Sequence, residues 1–177
     1  TEDLDPAKMP CLVVVRPKEL SDVEVFRLDQ YLVKGGRVVL FITNGAITVN
    51  QFTGMSYRSF STGLDEWLAH HGVRVPNEFV VHYQTAVPVG LRSVLPGTRL
   101  QVEVPTPNWF WPQIRPQYGG FDAHNPAVQS LTGVTFYWPH PVDVIADRFG
   151  PDKQAHVLVR SHAQESWRWK ETSLVDF

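Results

Sequence analysis

A strand, a helix and a strand, spaced so that only a crossover can join them, constrain this chain more than any other feature. Cys11-Leu-Val-Val-Val15 is a short, β-branched apolar run closed by Pro17, and it predicts a strand buried on both faces of a parallel sheet. Ser21-Asp-Val-Glu24 has capping-box spacing, with a hydroxyl and a carboxylate three residues apart satisfying each other's backbone donors. Val25, Leu28 and Leu32 then share one helical stripe, with Phe26 and Val33 beside it. Lys34 and Gly35-Gly36 supply a basic last turn and a left-handed stop. Val38-Val-Leu-Phe-Ile42 predicts the second buried strand, and a right-handed crossover lays the helix on one face of the pair. Leu28→Ala should then cost about 2–5 kcal/mol, and Asp29→Ala far less.

The rest of the chain has a different character. Ten of its 14 prolines fall between Pro88 and Pro151, and five of its six tryptophans follow Asn108. Asn44 to Ser61 is a long polar stretch containing Gly45 and Gly54, expected to be a functional or mobile loop. A shorter helix follows, with Leu64, Trp67 and Leu68 on one face, Asp65 and Glu66 in its first turn, and Gly72 after His70-His71 at its end. Phe79 to Tyr83 reads as a strand. The alternation of Leu100, Val102 and Val104 predicts a half-exposed strand ended by Pro105 and Pro107. Val134 to Trp138 and His156 to Arg160 are further strand candidates. The expected architecture is a single α/β domain over residues 1–177. It would have a mainly parallel sheet with flanking helices, amidotransferase-like or flavodoxin-like, and an irregular strand-rich C-terminal half.

Charge and length narrow the function classes. With 16 basic and 18 acidic residues among 177, the net charge of −2 gives no general attraction to nucleic acid or anionic membranes. A lone Cys11 excludes an internal disulfide framework. The apolar runs fall far short of a membrane span, and residues 1–10 contain no signal-peptide core. The absence of an initial Met favours a fragment of a longer, membrane-anchored protein.

Pro10-Cys-Leu-Val-Val-Val-Arg-Pro17, Leu28-Asp-Gln-Tyr-Leu-Val-Lys-Gly-Gly36 and Gly63-Leu-Asp-Glu-Trp-Leu-Ala-His-His-Gly-Val-Arg-Val75 form an ordered set. It continues with Asn125-Pro-Ala-Val-Gln-Ser-Leu131, Val134-Thr-Phe136, Leu158-Val-Arg-Ser161 and Ser166-Trp167. The set resembles the auxiliary component of gliding-motility-type ABC transporters. Arg16 and Thr43-Asn44 stand where that family more usually has small or acidic residues. The resemblance implies a non-enzymatic extracytoplasmic domain, anchored by helices outside this chain, with an ABC permease and ATPase as partners. It implies no cofactor and no catalytic residues.

The strand-helix-strand also resembles the class I glutamine-amidotransferase core, which would put Thr43 at the position of the nucleophilic cysteine. A threonine hydroxyl is not activated there as a thiol is, and Val142 replaces the glutamate that would follow His140-Pro141. The histidine spacings carry no metal-ligand signature, and Gly35-Gly36 precedes a strand rather than opening a helix after one. The strongest local candidate is Trp109 to Phe121, in which Trp109, Phe110, Trp111, Tyr118 and Phe121 stand beside Arg115 on a proline-stiffened segment. These six residues suit a core under a long loop, a protein partner or a sugar. Trp109 and Trp111 should point to one side of an extended segment and Phe110 to the other, leaving at least one of the three exposed.

Overall fold

A computed structural model of the chain describes residues 4–50 and 54–170. In chain order the elements are β1 (Cys11–Val15), α1 (Asp22–Val33), β2 (Arg37–Phe41), β3 (Gly45–Asn50), β4 (Gly54–Ser59), α2 (Asp65–His70) and β5 (Val73–Arg74). They continue with β6 (Phe79–His82), β7 (Ala86–Val94), β8 (Gln101–Ile114), β9 (Val134–Thr135), β10 (Asp143–Val144) and β11 (Ser166–Trp169). The chain forms two compact units. The described residues of the first are 4–50, 54–77 and 142–154, and those of the second are 78–141 and 155–170. No described helix is long and apolar enough to cross a membrane.

In the first unit β1 and β2 pair in parallel, from Cys11 opposite Arg37 to Val15 opposite Phe41, joined through α1. The capping box is present: Glu24 accepts from the Ser21 backbone N–H at 2.8 Å and from its hydroxyl at 2.7 Å. These two bonds hold the Glu24 carboxyl below its usual range. The helix ends as the glycines predict. Gly35 takes φ +88°, its N–H donates to Leu32, and Gly36 N–H donates to Tyr31, which is the Schellman pattern. Gly36 has a second reason to be glycine, because a Cβ there would lie 2.3 Å from the ring of Tyr31, which is fully buried. Leu28, Leu64 and Leu68 form the core, with Leu12, Val14, Val38 and Leu40 packed on it from the sheet.

The expectation that both strands are buried on both faces fails. Burial alternates along each strand, and Val13, Val15, Val39 and Phe41 face outward with exposures of 42–63%. Only the face toward the leucine core is covered. Phe26 and Val33 are likewise exposed, so the buried stripe of α1 is narrower than its apolar composition. Asp29 is not a bystander: its carboxylate accepts from the Trp67 indole N–H at 3.1 Å.

The fold class expected from sequence also needs correction. The β1–β2 pair is the only parallel one among the described strands; β3–β4, β5–β10, β6–β11 and β7–β8–β9 are all antiparallel. The sheet is therefore not mainly parallel with flanking helices, and no larger amidotransferase-like or flavodoxin-like sheet forms around the crossover. The crossover signal is local and correct, but the strands that follow it pair antiparallel, β3–β4 and β7–β8 between neighbours in the chain and β5–β10 and β6–β11 between distant segments.

The first hairpin is the stretch expected to be a functional or mobile loop. There β3 and β4 pair with Ile47 opposite Tyr57, and Phe60 N–H donates to Asn44 at the base. Tyr57 is buried against Gly45 and donates its hydroxyl proton to Asn77 Oδ1 at 2.6 Å. Burial pushes its phenol up to about 12. Phe52 and the side chain of Met55 lie outside the described residues.

In the second unit β8 runs through Pro105 and Pro107 instead of stopping at them. Its first half is paired with β7 alone among the named strands, while β9 pairs only with Gln113 and Ile114, and the register shifts between Ala86 and Pro88. Edge and bulge positions are where a missing N–H is tolerated. Phe79 and Val81 of β6 and Phe110 and Ile114 of β8 form the core, with β11 pairing along β6 from Ser166 opposite His82 to Trp169 opposite Phe79. Val134 to Trp138 contributes only two strand residues, although Phe136 and Trp138 still donate N–H groups to Pro112 and Phe110. His156 to Arg160 forms only an isolated bridge, Phe121 to Val159.

Candidate functional site

Two surface features of the second unit carry Trp109, Arg115 and Tyr118, three of the six residues singled out in the sequence. The first grows from the alternation of β8. Asn108, Phe110, Pro112 and Ile114 are buried, while Trp109 is 41% exposed. Trp109 lies between Tyr83, which follows β6, and Trp167 of β11, with ring centroids 5.6 and 6.0 Å away. Tyr83 and Trp167 are themselves 60% and 40% exposed, so paired strands present three aromatic rings to solvent together. Phe110 turns inward onto Phe79 and Trp169. Trp111 is half-buried between Tyr137 and Trp138 and is not part of the open trio.

The second feature is a small cleft lined by His82, Gln113, Arg115, Tyr118, Arg160 and His162, among others. Arg115 is exposed, and its guanidinium donates through Nε and Nη2 to Gln113 Oε1. Tyr118 sits in the 3-10 turn Pro116–Tyr118 with its ring edge toward His162 at 5.9 Å. The His82 side chain is 2% exposed, and its Nδ1 accepts the backbone N–H of Thr85 at 3.1 Å. Both His82 Nε2 and His162 Nδ1 approach Glu165 Oε2, at 3.9 and 4.0 Å, beyond hydrogen-bond length.

The six residues singled out in the sequence do not converge on one site. Trp109 belongs to the aromatic trio, Arg115 and Tyr118 to the cleft, and Phe110 to the core. Trp111 packs with Tyr137 and Trp138, and half-buried Phe121 bridges to Val159. Sequence reasoning missed Tyr83, Trp167, His82 and His162, because strand pairing between distant segments brings them together. The one usable signal was the apolar alternation around Trp167.

Thr43, which the amidotransferase resemblance would put at the nucleophile position, donates its hydroxyl proton to the Gly45 carbonyl at 3.0 Å, within a turn. His140 bonds through Nδ1 to the Glu78 carbonyl at 2.7 Å and stacks on Phe79. Among the described residues no three His, Cys, Asp or Glu side chains are placed to hold a metal ion.

Burial is the leading cause that lowers His71, His82 and His140 below the ordinary histidine value of 6.5; carboxylate or backbone contacts oppose it in each case. The unfolded chain therefore binds more protons than the folded one below 6.5, so stability is complete above that pH and declines as pH falls through it. Each proton taken up on unfolding adds a slope of up to about 1.4 kcal/mol per pH unit. Glu24, lowered from 4.5, adds a further loss below that value. Urea midpoints should fall from pH 7.5 to 6 to 5, and a flat or rising series would contradict these assignments.

A family model described as an ABC-type uncharacterized transport system, auxiliary component, matches residues 1–177. No curated protein and no solved structure matches the chain.

Proposed function

We propose, because the chain belongs to the ABC-type uncharacterized transport system family as an auxiliary component, that it is a non-enzymatic extracytoplasmic domain which docks on its transport partners through the Tyr83–Trp109–Trp167 surface. The partners are the ABC permease and ATPase of the same system, and segments outside this chain hold the domain at the membrane. The exposed aromatic trio carries this reading. Rigid aromatic side chains held on paired strands offer large contact area at little entropy cost, the composition of binding hot spots. A chain of net charge −2 has little field with which to steer a partner, so apolar contact has to supply the affinity.

The trio is poorly shaped for a sugar. Interplanar angles of 59° and 69° leave Tyr83 tilted and Trp167 edge-on to Trp109 rather than forming a flat platform. The Thr43 hydroxyl, directed into its own turn, supports the non-enzymatic part of the reading.

Trp109→Ala should weaken assembly with the permease about tenfold or more while leaving the melting temperature nearly unchanged. Phe110→Ala, which empties a buried site, should instead destabilise by about 3–5 kcal/mol. Capture of the detergent-solubilised permease by the two variants, alongside their melting curves, tests the assignment. Unchanged capture by Trp109→Ala would remove this surface from the interface, and turnover of ester, amide or glutamine substrates abolished by Thr43→Ala would overturn the non-enzymatic reading.

A further inference from the structure

A buried histidine and the open aromatic trio share one short turn. Tyr83 follows His82 directly at the end of β6, and residues 83–85 bend before β7 begins at Ala86. The His82 side chain is 2% exposed. Its Nδ1 accepts the Thr85 backbone N–H at 3.1 Å and lies 3.2 Å from the Thr85 hydroxyl. A backbone N–H only donates, so in the neutral ring Nδ1 holds the lone pair and the proton sits on Nε2. Backbone bonds hold the rest of the turn: Tyr83 N–H donates to the Glu165 carbonyl and Gln113 N–H to that of Thr85. The His82 ring is thus a side-chain tie across the bend that sets Tyr83 beside Trp109.

A second proton undoes that tie, because an imidazolium donates from both nitrogens. A proton taken from solvent onto Nδ1 sets it donor to donor against the Thr85 N–H. The new N–H can be given to Thr85 Oγ1, but the amide loses its acceptor. Around the ring, Glu165 Oε2 lies 3.9 Å from Nε2 and favours the charge, while His162, 6.4 Å away between ring centroids, opposes it. Arg115, Tyr118 and Arg160 line the same small cleft. We infer that protonation of His82 releases the turn at Thr85 and displaces Tyr83 from the trio, so the docking surface is whole at neutral pH and dismantled in mild acid. The inference rests on the docking reading of that surface and adds its regulation. Burial, with a smaller push from His162, holds His82 below the ordinary 6.5 against the pull of Glu165. The tie is therefore present above 6.5 and is lost as the pH falls through the lowered value.

Ring resonances of His82, Tyr83 and Trp109, followed in the chain alone from pH 7.5 to pH 5, test the switch without any partner. The three should shift with one midpoint below 6.5. Protection of the Thr85 amide against hydrogen exchange should fall about tenfold across that midpoint. The amides of β8 should keep theirs, which separates a local change from unfolding. Glu165→Gln removes the charge that favours the imidazolium, so all three midpoints should move together to lower pH. His82→Asn sets an acceptor near the Nδ1 position and takes up no proton there, so Tyr83 and Trp109 should no longer titrate in this range. Glu165→Gln, at a side chain 24% exposed, decides alone where the smaller asparagine does not fold in the buried site. Capture of the detergent-solubilised permease should be severalfold weaker at pH 5.5 than at pH 7.5 for the wild type and equal at the two for His82→Asn. Tyr83 and Trp109 resonances that stay fixed while His82 titrates, that keep their midpoint in Glu165→Gln while His82 moves, or that titrate unaltered in His82→Asn overturn the switch. Capture that falls equally with pH in both chains overturns its control of docking. Undiminished capture by Trp109→Ala at pH 7.5 would remove the docking reading alone, since the coincident midpoints are read in the chain without its partner.

Discussion

Phe79→Ala should lower stability by about 3–5 kcal/mol, the range for deleting a buried aromatic side chain, which is a large share of the total for a chain of this size. Phe79 is 1% exposed at the start of β6. Its ring meets Phe110 edge-on at 5.7 Å and stacks on His140 at 5.1 Å, while its backbone pairs with Trp169 of β11. One truncation therefore removes the contact that joins β6 to β8, and the space cannot close, because strand pairing fixes the walls. Urea unfolding of the variant should show a much lower midpoint. A loss below about 1 kcal/mol would mean that Phe79 is not the centre of this core.

Leu28→Ala is expected to cost about 2–5 kcal/mol, since Leu28 is 4% exposed and packs with Leu64 and Leu68 under β1 and β2. Asp29→Ala is the informative neighbour. Its carboxylate accepts the Trp67 indole proton at 3.1 Å and lies 3.6 Å from His71 Nε2, so the substitution strands a partly buried donor. A cost of about 1–3 kcal/mol follows, well above the negligible effect that helical position alone predicts. Asp29→Ala should also alter Trp67 emission in the folded state, whereas Leu28→Ala should act mainly on the unfolding midpoint. Equal midpoints for Asp29→Ala and wild type would show that the indole finds another acceptor.

Local signals were the readable part of this sequence. Ser21, Glu24, Gly35 and Gly36 act within a few residues of one another, and the helix they delimit starts and ends where those residues place it. The alternation of Trp109, Phe110 and Pro112 belongs to the same class, since an extended backbone sends successive side chains to opposite faces whatever surrounds it. What covers a strand is not a local property. Nothing in Val13 or Phe41 tells that only one face of their sheet would be covered. The β3–β4 hairpin escaped notice because Thr48 and Ser56 lie between Ile47 and Tyr57 and their neighbours, so the two-residue period is carried by few apolar side chains. Reading Pro105 and Pro107 as a strand end assumed a central strand, and proline carries little penalty along an edge. The cleft was the least legible element. His82 and Glu165 approach only because β11 pairs back along β6, and no short-range pattern encodes that pairing.

The two faces of the β1–β2 pair make solubility and folding separately adjustable. Leu12, Val14, Val38 and Leu40 contribute to the leucine core, so polar replacements there would lower stability. Val13, Val15, Val39 and Phe41 already meet water in the folded chain, and threonine at the three valine positions would keep the β-branched shape that a strand favours. Such variants would hold their melting temperature while tolerating higher protein concentration before precipitating.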